Sequence, residues 1–408
     1  MPEALVSRLE SPLLSAVDAP SGSTRAERSH RVTNAELWTA RQRQMHPIHY
    51  TVSYRGSFKP ELPEFFIARY LAKPGLVLDP FGGRGTTAIQ ANLMGHRAIH
   101  NDLSRVSVFL ARSRQVIPSV EEAAALVEKL DLKSGPLPTA AEKKRLYPFF
   151  HPDTLRELIA LKSILQKAKD PGLHYVGVTA LSRLHGHSDG FFSVYSFPQI
   201  SILPSAQERN NLRRGQAPEY RNVKERILRK IRRDLSEPLP EEFRRAAALN
   251  RYINGDSRKL TGVKSGSVDL IVTSPPFLDK VDYVTDNWMR AWFLGVEEDV
   301  EGAGLSILSS LEDWTSFMRD VLLEMLRVLR PGGRAVIEVG DVRARGGQVN
   351  LEEALYGLLP LSSRFGRLEI DEVLINEQKF TKLSNCWDVS NNSKGTNTNR
   401  CLIVQKVS

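Results

Sequence analysis

Residues 274 to 277 read Ser-Pro-Pro-Phe and follow the apolar run Leu270-Ile271-Val272 almost directly. A serine oxygen and a proline carbonyl are hydrogen-bond acceptors, and the prolines hold the backbone rigid while donating no amide hydrogen. Such a turn suits an exocyclic amino group. The amino nitrogen of cytosine or adenine is conjugated into its ring and is a poor nucleophile. Two acceptors aligned on its hydrogens would draw it towards tetrahedral geometry and bare its lone pair. Phe277 offers a face for stacking, and a base reaches such a pocket only after leaving its duplex. An ordinary proline turn closing a core strand has the same local sequence, so its company decides.

That company is a second constellation. Residues 79 to 95, DPFGGRGTTAIQANLMG, crowd glycines between a strand and a helix, and the next strand, RAIHND, ends in Asp102. An acid about twenty residues past the first loop glycine lets a nucleotide-like ligand lie over a helix N-terminus while the carboxylate accepts from ribose hydroxyls. The loop is not a phosphate-binding Walker motif, since no Gly-Lys-Ser/Thr follows, and its spacing differs from the GxGxxG dinucleotide fingerprint. A glycine turn that serves helix packing alone would look similar.

The elements that must position these residues read as α/β. A helix is expected from Pro60 to a stop at Lys73-Pro74-Gly75, a strand over Leu76-Val77-Leu78, a helix from Thr86 to Met94 closed by Gly95, and a strand at 97–102. The pattern resumes at 252 with YING, Asp256 at its tip. Then come the strand before Ser274, a long helix over 311–329, the turn and strand RPGGRAVIEVGD, and strands at 368–375 and 401–406. Units of this kind predict a doubly wound sheet, in which ligands sit beyond the carboxyl ends of the strands. Asp79, Asp102, Asp256 and Ser274 should therefore line one crevice.

Four segments follow: a loose N-terminal arm (1–45), a core half carrying the glycine loop (46–104), a largely helical basic insertion (105–247) and a core half carrying the Ser-Pro-Pro-Phe turn (248–408). Within the insertion Val223, Ile227 and Ile231 recur every four residues, with Lys224, Arg229, Lys230, Arg232 and Arg233 largely off that stripe and Arg213 and Arg214 just upstream. One reading is a phosphate-tracking face for nucleic acid; the other is a solvated surface helix. Phe191, Phe192, Tyr195 and Phe197 suit a core better than a stacking platform. His185 and His187 lack a further clustered ligand, so no metal is expected.

Composition sets outer bounds. The 408 residues are 41% hydrophobic and 25% charged with a formal charge of +9, ordinary for a globular chain and compatible with a polyanion partner. Two cysteines, Cys386 and Cys401, are too few for a disulfide framework and are expected to be structural. No secretory signal and no eighteen-residue apolar span is evident, which points to a cytoplasmic protein without a membrane partner.

DPFGGRGTT followed by SPPF resembles the S-adenosylmethionine-dependent DNA amino-methyltransferases, whose motifs read DPFxGxGTT and S/D/N-PP-Y/F. The resemblance covers roughly residues 46–104 and 250–340, with a weaker echo in the closing strands. It implies a Rossmann-like methyltransferase sheet and S-adenosylmethionine as methyl donor. Ser57 and Lys59 in SFKP match the segment that holds the methionine end. Asp79, Pro80, Phe81, Gly83, Gly85 and Thr86 match the cofactor loop, Asp102 the ribose-binding acid, and Asp256 a residue near the cofactor's adenine. Ser274, Pro275, Pro276 and Phe277 match the catalytic turn. Arg84 stands where the family usually has a small residue. The cofactor half precedes the catalytic half, which makes the insertion the natural candidate for target recognition.

Within the family, SPP followed by Phe or Tyr resembles the N4-cytosine enzymes; adenine N6 is the alternative. C5 methylation needs a cysteine nucleophile, and neither NCW nor NRC supplies the usual Pro-Cys setting. The resemblance further implies duplex DNA as partner and, in a restriction-modification setting, a cognate endonuclease. An RNA amino-methyltransferase and a non-catalytic DNA-binding subunit remain as other readings.

Overall fold

The chain runs through strand β1 (Arg31–Ala35), a 3-10 turn (Pro47–Tyr50), α1 (Glu61–Tyr70), β2 (Leu76–Asp79), α2 (Thr86–Leu93), β3 (Arg97–Asp102) and α3 (Arg105–Arg112). Seven helices follow: α4 (Val120–Lys129), α5 (Ala140–Leu146), α6 (Pro152–Lys167), α7 (Pro171–Leu181), α8 (Pro204–Arg214), α9 (Val223–Asp234) and α10 (Glu241–Ala247). The sheet resumes with β4 (Arg251–Asn254) and β5 (Val268–Thr273), then α11 (Tyr283–Leu294), α12 (Glu297–Gly302), α13 (Leu311–Val328) and β6 (Leu329–Ala344). It closes with β7 (Gly347–Asn350), α14 (Leu351–Tyr356), β8 (Leu361–Ser363), β9 (Gly366–Phe380) and β10 (Gly395–Val407). This is a computed structural model, and it describes residues 31–35, 37, 44–197, 202–276, 282–302, 310–344, 347–380 and 395–408.

The strands lie in the order β1-β9-β10-β6-β5-β2-β3-β4. The pairs β6–β5, β5–β2, β2–β3 and β3–β4 are parallel, while β10 runs antiparallel to both neighbours. The expected α/β sheet is thus present, with an antiparallel strand that residue patterning did not disclose. The Arg-Pro-Gly-Gly stretch loops out at the start of β6. Val268 pairs with Leu329 but Leu270 with Arg334, and Gly332 takes φ 74° there.

Alternate residues of each strand serve opposite faces. Val77, Ala98, Leu270 and Val336 pack under α1 and α2, whereas Leu76, Leu78, Ile99 and Ile337 pack under α13 and α14. Cys401 is buried on the first face, a structural residue as expected; Cys386 lies outside the described residues.

Two boundaries need correction. Residues 31–35 are not part of a loose arm. They form β1, parallel to β9, and Glu372 on β9 accepts from Thr33 Oγ1 at 2.7 Å and from Arg69 at 2.7 Å. Short β-branched stretches bordered by polar sequence carry no visible period, so the strand was hidden. The ends of the 105–247 insertion also belong to the sheet layers: α3 packs on β3 and β4, and α10 on α2 and β3. Between them α4–α9 share one core with Ile89, Val106 and Leu110 of α2 and α3 and with Met289, Trp292 and Phe293 of α11. The insertion is fused to the sheet by apolar burial. No helix among the described residues is long and apolar enough to cross a membrane.

Candidate active site at the carboxyl edge of the sheet

Parallel pairing brings the carboxyl ends of β2, β3, β4 and β5 to one edge, with Asp79 beside His100 and Asp102 beside Asn254 in register. Asp79 is the hub of this edge. It is 1% exposed, and its Oδ1 accepts from Thr273 Oγ1 at 2.6 Å and from the Phe81 amide at 3.1 Å, while its Oδ2 accepts from Thr87 Oγ1 at 2.9 Å. Burial pushes its carboxyl up to about 6, against the pull of those hydrogen bonds. Thr87 Oγ1 also lies 3.1 Å from the Val272 carbonyl, so its proton can turn there and leave its oxygen to accept from a protonated Asp79. Asp79, expected among cofactor contacts, ties the glycine loop to the residue before Ser274.

The loop itself is shaped by close approach. A Cβ on Gly82 would lie 2.1 Å from the ring of buried His100, and one on Gly85, at φ 84°, would lie 2.8 Å from Ala111. Only glycine fits either place. Gly85 caps α2, whose first residue, Thr86, is buried and accepts from Arg84 Nε at 3.1 Å. The Arg84 guanidinium reaches on to the Val52 carbonyl at 3.3 Å, and its own carbonyl accepts from buried Arg114. The bulky residue where the family has a small one thus staples the loop to the segment after the 3-10 turn. Pro80 is buried, and Asn101 Nδ2 bonds its carbonyl and that of Gly255, each at 3.0 Å, joining the ends of β2, β3 and β4.

Asp102 is half-buried, with Oδ2 accepting from the Gly83 amide and Oδ1 from the Ser104 amide, each at 2.8 Å. Burial raises its carboxyl above the usual range, opposed by these amides. Each oxygen keeps a further lone pair for a hydroxyl donor. Gly83 is open: a Cβ there would meet nothing nearer than Ser57 Oγ and the Tyr54 ring, both at 3.8 Å. Ser57 is therefore brought to the loop, while Lys59 stands half-buried before α1, its ammonium pulled down by burial.

Tyr54 stacks on Tyr283 with ring centroids 6.5 Å apart, and Arg290 holds the Ser53 carbonyl at 2.6 Å while Arg55 pairs with Asp286 at 3.3 Å. These contacts close residues 53–55 against α11, the helix that follows the Ser-Pro-Pro turn. Spacing could not have found Tyr54 and Tyr283, which lie far apart in sequence; only an aromatic near each motif hinted at them.

Ser274 is half-buried and Pro275 buried; the Pro276 carbonyl accepts from Trp314 Nε1 at 2.8 Å, which fixes the turn on α13. Phe277 lies outside the described residues. Asp256 does reach the same edge, but its carboxylate is clamped by Arg258 at 2.7–3.1 Å, which holds its pKa below the usual range. Arg258 in turn lies over the Phe317 ring at 5.6 Å, and Phe317 packs against Phe81 at 5.9 Å.

The basic residues divide sharply. Arg213, Arg214, Arg232 and Arg233 are exposed. Lys224 is half-buried and donates to the Glu128 carbonyl at 2.8 Å, and Arg229 is paired with Asp189 at 2.9 Å and Glu225 at 2.7 Å. Lys230 overturns its assignment as a phosphate contact. It is 3% exposed, paired with Asp234 and bonded to the Tyr50 carbonyl at 3.3 Å. Burial pulls its ammonium down, opposed by Asp234. A helical period of 3.6 returns position 230 to the face of Val223, two turns earlier, which a strict count of fours missed. Phe191 and Phe192 are core, as expected, whereas Phe197 is 46% exposed and Tyr195 lies under Arg214 at 3.8 Å. His185 is half-buried with Nδ1 3.3 Å from Ser196 Oγ, and no group of three metal-ligating side chains occurs among the described residues.

Residues 268–403, from β5 through most of β10, match a family model described as DNA methylase. The chain is 23% identical over 299 residues to the type II methyltransferase M.BsoBI of Geobacillus stearothermophilus, covering 65% of this chain and 56% of that protein. It is 37% identical over 71 residues to the type II methyltransferase M.MjaII of Methanocaldococcus jannaschii, covering 17% and 13%. The chain thus spans little more than half the length of the first relative and a small part of the second. Among solved structures it is similar to TrmN from Thermus thermophilus, at 14% identity and a TM-score of 0.34 over 86% of this chain and 50% of that one, a likeness too distant to bear on function. Residues 268–403 are thus similar to the DNA methylases, and parts of the chain are similar to type II methyltransferases.

Proposed function

We propose that this chain transfers a methyl group from S-adenosylmethionine to the exocyclic amino nitrogen of a base turned out of duplex DNA, N4 of cytosine. The observation that carries the reading is the bond between the two half-sites. Thr273, directly before Ser274, donates to Asp79, which opens the glycine loop, at 2.6 Å. A loop suited to a nucleoside and a turn suited to an amino group are thereby held at one edge with little freedom between them.

The residues present fit the cofactor. The backbone at Gly83 is bare to the crevice, Ser57 and Tyr54 stand across from it, and Asp102 retains lone pairs for ribose hydroxyls. When bound, the cofactor supplies an electrophilic methyl group on a sulfonium. The chain's part is orientation: Ser274 Oγ and the Pro275 carbonyl accept the amino hydrogens and free the nitrogen lone pair, and the surplus proton leaves through Ser274 or water. Phe277 is assigned the stacking role on its sequence position. The resemblance of Ser-Pro-Pro-Phe to the turn of the N4-cytosine enzymes is the ground for naming cytosine, with N6 of adenine as the alternative. Both curated relatives are type II methyltransferases, which supports a modification role beside a restriction endonuclease.

Label transfer from S-adenosylmethionine to unmethylated duplex DNA of mixed sequence, followed by nucleoside mass spectrometry, is the test. N4-methylcytosine is the expected product. N6-methyladenine would keep the mechanism and reassign the base, and label in RNA alone would sink the DNA reading. Ser274→Ala should lose on the order of 100-fold in turnover or more with cofactor affinity unchanged.

A further inference from the structure

Helix α8 holds the most exposed large apolar side chain named among the described residues, Leu212, at 83%. Its setting is built. On the inner face Gln207, fully buried, donates to the Tyr195 carbonyl at 3.0 Å and to Asn211 Oδ1 at 2.7 Å; Asn211 donates to the Pro148 carbonyl at 2.7 Å; and Gln216 donates to the Tyr195 carbonyl at 3.0 Å. The outer face, at i, i+3 and i+4, carries Arg209, Leu212 and Arg213, all exposed, and Arg214 beside them lies over Tyr195. Gly215 ends the helix at φ 57° with nothing within 4 Å of where its Cβ would stand. A leucine between arginines thus projects near the free end of an anchored helix.

That helix is joined to the helix that follows the Ser-Pro-Pro turn in the chain. The carbonyl of Ile202, just before α8, accepts from Trp288 Nε1 at 3.0 Å, and Phe149, the neighbour of Pro148, packs on Trp288 at 5.9 Å. Trp288 belongs to α11, the first helix after Ser274-Pro275-Pro276.

Resting on the proposed DNA reading, we infer that Leu212 is a positioning residue that enters the duplex beside the target base, with Arg209, Arg213 and Arg214 on the flanking phosphates. Turning a base out of its stack costs unpairing and unstacking, and an apolar wedge between base steps fills the gap that remains. The charge chooses this occupant. A second copy docked through the same face would bring the two arginine clusters together, whereas a polyanion neutralises them.

The test uses the full chain and a duplex carrying the site that the wild-type protein is found to methylate, with the target cytosine either paired or opposite a mismatch. Leu212→Ala should lose about tenfold or more in turnover on the paired duplex, keep its cofactor affinity and recover on the mismatched one, since the mismatch removes the cost the wedge offsets. Leu212→Met should recover most of the loss. Equal turnover by Leu212→Ala on paired DNA, or a loss that the mismatch does not restore, overturns the inference while leaving the methyltransferase reading intact. A wild-type dimer that Leu212→Ala dissociates would give the face to a second copy instead. No methylation of any duplex by the wild-type protein would remove the reading beneath it.

Discussion

The carboxyl edge of the sheet and the α4–α9 layer both bury charge, and they do so to different ends. At the sheet edge a carboxyl, Asp79, is satisfied by two threonine hydroxyls and an amide. On α9 a buried ammonium, Lys230, meets a buried carboxylate, Asp234, one turn on and anchors the helix to the Tyr50 carbonyl. The first arrangement tolerates loss of charge because a neutral carboxyl still fits its hydroxyl partners. The second depends on charge, because either partner alone would be an uncompensated ion in an apolar layer.

The largest test of this contrast is Lys230→Ala. It leaves Asp234 buried without its partner and should cost about 3–5 kcal/mol of stability, read by denaturant unfolding. Replacing Lys230 and Asp234 together by apolar residues should recover most of that loss. A cost below about 1 kcal/mol for the single change would mean that the pair is open to water.

Asp79 gives a smaller effect with a definite sign. Its folded-state value, about 6, lies above that of an unfolded aspartate, so its contribution is fully present below about pH 4 and is lost as pH rises through 6. Between pH 5 and 8 that loss amounts to about 1.4 kcal/mol. Asp79→Asn, always neutral and able to donate to Thr87, should unfold with a pH dependence flatter by this amount. A variant whose dependence matches the wild type would show that Asp79 stays ionised.

The smallest effect concerns the surface. Arg232→Ala with Arg233→Ala should lower the slope of log affinity for duplex DNA against log salt by about 2, equally across sequences. Arg229→Ala should leave the slope where it was, because Asp189 and Glu225 already engage that guanidinium. Equal effects from the two variants would erase the distinction between the exposed pair and the ion-paired Arg229.

Much of the site was legible because strand ends are legible. Asp79, Asp102 and Ser274 each close an apolar run, and parallel α/β topology sends such positions to one edge. The threonines that join them were not: a β-branched residue at the end of a buried strand looks the same whether its hydroxyl is used or not, and Thr273 gave no sign of its bond to Asp79. On α9, Arg232 and Arg233 were read as exposed and are so, whereas Lys230 was misplaced by the counting of its helical period. Residues 390–394 lie outside the described residues, and 395–400 open β10.

By itself the sequence determined which chemistry is within reach. The acceptors of Ser274-Pro275-Pro276, the bare backbone of Gly83 and the acid at Asp102 are properties of local residue types, set before any distant contact forms. Tertiary structure alone decided which charges face water and which hold the molecule together. That depends on partners far away in the chain, such as Asp79 with Thr273, Asp256's own clamp against Phe317 through Arg258, and Lys230 with Tyr50. Burial sets the energy of a charge, and burial is known only once the chain has closed on itself.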